Sequence, residues 1–259
     1  MAGNDRFDLN GRSVVITGGG KGIGKVYAEA FGRAGARVVA ADIDGKGAEE
    51  VARAIGAAGG TALAVTTDIA NPQSVEAMVQ RALERFGTID VLINNASLMS
   101  TLARRSWVDI PLEEWDQVML VNLRGMYLCC RAVFPTMRAQ RRGKIVNISS
   151  SRIWDGTPNR LHYTTSKAGV IGFTRSLARE VGEFGITVNA VTPGRTLSDS
   201  QLASSAPEYL RSNSYLEQRA IMRDQYPEDL VGTVMFLSTA ASDFMTGQTI
   251  NVDGGKAMH

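Results

Sequence analysis

Seven short runs made almost wholly of apolar and β-branched residues recur along the chain, separated by longer amphipathic stretches. They are SVVIT (13–17), ARVVAAD (36–42), ALAVTTD (62–68), DVLINNA (90–96), KIVNISS (144–150), ITVNAV (186–191) and QTINVD (248–253). This alternation constrains the fold more than any other feature. Both alternating faces of each run are apolar, as in strands of a parallel sheet covered by helices on both sides. The intervening segments GIGKVYAEAFGRAG, GKGAEEVARAIGAAG and NPQSVEAMVQRALERFG have helical periodicity. The last of these starts at Asn71 or Pro72 and closes at Gly87. Longer helices are predicted over roughly 112–140 and 161–184. No linker or shift in composition interrupts the pattern, so residues 1–259 are predicted to form a single doubly wound α/β domain of the Rossmann type. Its parallel sheet has seven strands, with helices on both faces. The long polar segment 194–226 breaks the rhythm, and a connection of that length predicts a lid over a binding site.

Composition removes several function classes. A net charge of +2 leaves no electrostatic footprint for nucleic acid. The opening MAGNDRFDLN has no apolar core of a signal peptide. No apolar stretch approaches the roughly 18 residues that would span a bilayer. Cys129 and Cys130 are neighbours within a helical pattern and point in different directions, which suits buried reduced thiols in a cytoplasmic protein. The two histidines, His162 and His259, suggest no metal site.

Ligands of doubly wound sheets bind beyond the carboxyl ends of the strands. The first strand runs into GGGKGIG and then a helix. Gly18, Gly22 and Gly24 allow a tight turn, a close approach of backbone to a pyrophosphate, and packing of helix on strand. The second strand ends at Asp42, where a carboxylate can accept both ribose hydroxyls of an adenosine and would repel a 2′-phosphate. Lys21 lies in the glycine turn and argues for the phosphate. Asp42 sits at the ribose edge while Lys21 can swing into solvent, so the expected cofactor is NAD.

Residues 163–167 read YTTSK, which puts Tyr163 and Lys167 on one helix face. With six Tyr and six Lys in the chain, one such pair is expected roughly 0.14 times by chance. The pair gains meaning from its company. TGGGKGIG (17–24), NNAS (94–97), VNLRG (121–125), IVNISS (145–150), YTTSK (163–167) and VDGG (252–255) occur in one order over the whole chain. The sequence thereby resembles the short-chain dehydrogenase/reductase family.

That resemblance implies a catalytic set of Ser150, Tyr163, Lys167 and Asn122. Tyr163 would exchange a proton and Ser150 would hold the substrate oxygen. Lys167 would reach the nicotinamide ribose, and Asn122 would distort its helix and fix a water that serves Lys167. It also implies cofactor contacts from Gly18, Lys21, Gly22, Ile23, Gly24, Asp42, Asp68, Ile69, Asn95, Ala96, Tyr163, Lys167, Pro193, Gly194 and Thr196. Two positions depart from the family pattern. Ser97 stands where glycine is common, and the usual hydroxyl after the Pro-Gly pair is shared between Thr196 and Ser198. The expected activity is hydride transfer between a secondary alcohol or sugar hydroxyl and a ketone. The rivals are a 3-oxoacyl thioester reductase, a dinucleotide-sensing regulator without turnover, and an epimerase or dehydratase, whose substrate domain is usually larger. Leu98, Met99, Ser151, Arg152, Trp154 and Arg195 are expected to face the substrate, with Arg160 approaching from the leader of the catalytic helix. The arginines leave an anionic substrate open beside neutral ones. The family further implies a homotetramer paired through the helices at 112–140 and 161–184, with Met126, Leu128, Val133, Phe134, Val170 and Phe173 as the apolar surplus.

Overall fold

The structure, a computed structural model, describes residues 5–204 and 216–258. The strands are β1 Ser13–Thr17, β2 Arg37–Asp42, β3 Thr61–Thr66, β4 Val91–Asn94, β5 Gly143–Ile148, β6 Ile186–Pro193 and β7 Thr249–Val252. They form one sheet in the order β3-β2-β1-β4-β5-β6-β7, and every neighbouring pair is parallel. The chain winds outward from β1 through β2 to β3, then returns to lay β4 on the other side of β1. The crevice between β1 and β4 is therefore the switch point at which such sheets bind ligands.

The helices that cover the sheet are α1 Gly22–Arg33, α2 Gly45–Ala57, α3 Pro72–Phe86, α4 Leu112–Met119, α5 Met126–Gln140, α6 Arg152–Asp155, α7 Leu161–Val181, α8 Asp199–Ser204 and α9 Glu228–Leu237. Successive strand residues point to opposite faces. Val15, Val39, Leu92, Ile145 and Val188 pack with α3, α5 and α7. Val14, Ile16, Val38, Ile93 and Val146 pack with α1, α2 and α9. This division explains why both alternations of each run had to be apolar. The start of α3 is decided by Asn71, whose side chain accepts the N–H groups of Gln73 and Ser74, with Pro72 in the first turn. Gly87 closes the helix in the left-handed region at φ 75°.

Two helical readings change in detail. The stretch 112–140 is continuous, but its middle, Leu120–Gly125, is a π-helical segment. The predicted 161–184 helix ends at Val181 and tightens into a 3-10 turn over Gly182–Phe184. Leu112–Gln140 is also long and apolar enough to cross a membrane by length and composition. That corrects the expectation that no such stretch exists. Its apolar residues Met126, Leu128, Cys129, Cys130, Val133 and Met137 are instead buried in the core. The apolar surplus assigned to subunit pairing is corrected in the same way. Met126, Leu128, Val133 and Val170 are buried within the single chain, and Phe134 meets Phe184 edge-on.

Candidate active site

β4 ends at Asn94 and β5 at Ile148, so the tails of the predicted strands, 95–96 and 149–150, leave the ladder and form the floor of the cleft. At the switch point the first and fourth strands are laced together. The Thr17 hydroxyl accepts the N–H groups of Asn95 and Ala96 at 3.1 Å each. The Asn95 amide donates to the carbonyls of Thr17 and Gly18. The approach is close enough that a Cβ on Gly24 would lie 2.0 Å from the Gly18 oxygen. Gly18 and Gly22 have φ of 65° and 61°, which L side chains seldom adopt. Lys21 is exposed and gives the amino end of α1 no side-chain cap. This cradle fits a dinucleotide pyrophosphate.

Asp42 is buried at the end of β2. One carboxylate oxygen accepts the Gly20 N–H and the other the Asp44 N–H, both at 2.9 Å. Its orientation is thus fixed by backbone, with lone pairs left over for a ligand. Ile69 packs against Gly125 of the π-helical segment, and Asp68 accepts the Ala70 N–H at 2.9 Å.

The catalytic candidates converge from three elements. Tyr163 and Lys167 come from α7, Ser150 from the turn after β5, and Asn122 from the π-helical segment. Three consecutive serines were indistinguishable by residue type, and the structure separates them. The Ser149 hydroxyl donates to the Lys167 carbonyl at 2.7 Å, and the Ser151 N–H donates to the Pro193 carbonyl at 2.9 Å. Ser150 is the one whose hydroxyl lies close enough to the Tyr163 phenol to lower its pKa. Asn122 is buried and accepts the Leu98 N–H at 2.8 Å. It donates to the Leu98 carbonyl and to the Ser166 hydroxyl, which in turn donates to the Tyr163 carbonyl. It thereby pins the strand β4 turn to the catalytic helix, a use for a polar residue that the helix interior would otherwise disfavour.

Burial raises the Tyr163 phenol above its usual range. Hydrogen bonds from Ser150 and Ser97, and the charges of Arg152 and Arg160, pull it back down. The departure at Ser97 therefore adds a second hydroxyl beside the phenol. Lys167 is buried, with its Nζ 5.8 Å from the Tyr163 ring centre and donating to the Ile148 carbonyl at 2.8 Å. Burial lowers its pKa to about 7. An unfolded lysine keeps its proton to about 10.5, so between these two values the unfolded chain binds the extra proton and stability rises with pH. Lys167→Met should therefore gain on the parent most at pH 6, with the difference shrinking toward pH 10. Chemical denaturation of both proteins across that range is the measurement; a pH-independent difference would mean the lysine is not desolvated as described.

A family model described as enoyl-(acyl carrier protein) reductase matches residues 18–257. The chain belongs to the short-chain dehydrogenase/reductase family. It is 39% identical over 253 residues to a 3-oxoacyl-[acyl-carrier-protein] reductase from Synechocystis, covering 96% of this chain and 98% of that one. Among solved structures it is similar to a 3-ketoacyl-(acyl-carrier-protein) reductase from Brucella melitensis complexed with NADH. That match has a TM-score of 0.88 and 32% identity, over 96% of this chain and 100% of that one. It is also similar to a protein from Beutenbergia cavernae named as an NAD(P)-dependent gluconate 5-dehydrogenase, with NADP bound at low occupancy. There the TM-score is 0.89 and the identity 35%, over 97% and 98% of the two chains. This short-chain dehydrogenase/reductase is thus an oxidoreductase built for a nicotinamide dinucleotide.

The residues expected to face the substrate are engaged with their surroundings. A terminal nitrogen of Arg152 donates to the carbonyls of Thr157 and Pro158, at 2.8 and 2.9 Å. Arg195 is buried and ion-paired with Asp224 at 3.0 Å. Arg160 donates to the Leu102 carbonyl and to the Met99 sulfur, and the Trp154 indole donates to the Thr192 hydroxyl at 3.3 Å. Thr196 is turned back on the Gly194 carbonyl, whereas Ser198 lies beside Gly22. Part of the 194–226 lid lies outside the described residues. Two supports went unread in the sequence. Arg219 donates to the Arg195 carbonyl at 2.8 Å. His162, fully buried next to Tyr163, bonds Glu114 at 3.1 Å and ties α7 to α4. Neither follows any local spacing.

Proposed function

We propose that this short-chain dehydrogenase/reductase is a cytoplasmic enzyme that interconverts a secondary alcohol or sugar hydroxyl and its ketone with NAD. The observation that carries the chemistry is the phenol of Tyr163 flanked by the hydroxyls of Ser150 and Ser97 with Lys167 beneath its ring. Ser150 holds the substrate oxygen and stabilises charge that develops on it. Tyr163 Oη takes the hydroxyl proton in oxidation and returns it in reduction. Lys167 and the nearby Arg152 and Arg160 favour the phenolate that this requires. Bound at the glycine turn, an oxidised nicotinamide dinucleotide supplies the hydride acceptor and a further positive charge. Asp42 supports NAD over NADP. Gly18, Gly22, Ile23 and Gly24 would hold the pyrophosphate end, with Asn95, Ala96, Pro193 and Gly194 lining the nicotinamide side.

A 3-oxoacyl thioester as substrate is the second reading, favoured by the 39% identity to the Synechocystis reductase. Following NADH formation with a panel of alcohols and sugars, and NADH consumption with an acetoacetyl thioester, tests both. Absence of turnover on every compound, with dinucleotide binding intact, would leave the regulator reading. An acidic substrate is a narrower proposal. It expects Arg152→Met to raise KM for a hydroxy acid by about tenfold and to leave a neutral analogue unchanged. Equal behaviour toward both compounds would confine Arg152 to holding the 157–158 backbone. Assembly as a homotetramer rests on the family. Light scattering should give four times the chain mass of 27.8 kDa; a monomer at micromolar concentration rejects it.

A further inference from the structure

Asp199 opens α8, but its carboxylate is spent on another helix. Its Oδ1 accepts the N–H of Gly22 at 2.8 Å, across 177 positions of sequence. The same oxygen accepts the N–H of Ser200. Lys21, in the N-cap position of α1, contributes no side-chain bond, so Asp199 is the side chain that caps α1. The rest of the α8 first turn leans on the same place. A Cβ built on Gly22 would lie 3.1 Å from the Ser200 hydroxyl, and Ser198 caps α8 itself through the Gln201 N–H at 3.2 Å. The first turn of α8 is therefore latched onto the glycine turn by one exposed acid.

The N–H groups in the first turn of a helix beside such a glycine turn are those a pyrophosphate takes, and the positive end of the helix favours one anion there. A carboxylate on Gly22 and a pyrophosphate on the same turn repel each other and draw on the same donors. We propose that Asp199 sets the cofactor affinity of this enzyme as an internal anion that competes with the dinucleotide pyrophosphate for the amino end of α1. Dinucleotide binding is then coupled to release of the first turn of α8 from the glycine turn. The acid lies at the surface of the protein, so it can leave Gly22 without unpacking the core. The inference rests on the dinucleotide reading above.

The test is the affinity of the parent, Asp199→Asn, Asp199→Ala and Ser200→Ala for NADH, by fluorescence, and for ADP, by calorimetry, with no substrate present. ADP carries the pyrophosphate without the nicotinamide. Both Asp199 variants should bind both ligands about five- to tenfold more tightly than the parent, with Ser200→Ala unchanged. Without ligand, Asp199→Ala should melt at lower temperature than the parent, because α1 has lost its cap, whereas Asp199→Asn keeps the acceptor and loses only the charge. Unchanged or weaker binding by both Asp199 variants overturns the inference; the weaker result would make Asp199 a clasp that holds α8 over bound cofactor. A parent that binds none of NADH, NADPH and ADP overturns the dinucleotide reading itself, a result distinct from unaltered affinity in a parent that does bind.

Discussion

Replacing Tyr163 by Phe should abolish turnover, lowering kcat by about 10²- to 10⁴-fold, while NADH affinity stays within a few-fold of the parent. The ring is buried and packs with Leu102 and Val118, and Phe preserves that packing, so a folding defect would not account for the loss. What disappears is the hydroxyl that Ser150 and Ser97 flank. A phenol near its usual pKa of about 10 needs roughly 4 kcal/mol of help to act as a base at neutral pH. Burial here works against that help. Hence the two hydroxyls, the two arginine charges and the cofactor charge have to outweigh it, and the pH–rate profile of the parent should show an acid limb set by this group. Residual activity in the Phe variant above about a hundredth of the parent would remove Tyr163 from its role.

For cofactor choice, kcat/KM should favour NAD over NADP by at least about tenfold, or 1.4 kcal/mol. Asp42 is held by the N–H groups of Gly20 and Asp44, so it cannot swing aside to admit a 2′-phosphate without stranding two donors. Lys21 has no such constraint and is exposed. Asp42→Asn, which removes the charge and keeps the size, should bring the two cofactors to within a few-fold of each other. If the parent uses both equally, and Lys21→Met then loses NADP alone, the lysine decides the preference and the assignment to NAD fails.

Much of this is legible in the sequence. The two-faced apolar runs could only be parallel strands under helices, because burial on both sides leaves no polar alternation. The glycine turn, Asp42 at a strand end, and Tyr163 with Lys167 are local patterns whose spacing along one turn or one helix fixes their geometry. The same holds for Asn71 and Gly87 at the ends of α3. Within the run Ser149, Ser150 and Ser151, only the interval to Tyr163 singles out Ser150. The three differ in where the turn after β5 points each hydroxyl, and that direction comes from the pairing of β5 with β6 and the packing of α7. Charges near a cleft are mute in sequence. The pairing of Arg195 with Asp224, 29 positions away, leaves no trace in local spacing. The distortion expected at Asn122 takes the form of a π-helical segment, with the Asn122 side chain committed to Leu98 and Ser166. Strand composition and motif spacing thus determined the fold, the cofactor class and the candidate tyrosine. Tertiary structure alone decided which arginines are already paired and that Asp199 meets Gly22. Those contacts join residues distant in the chain, and their partners are chosen by how the layers pack.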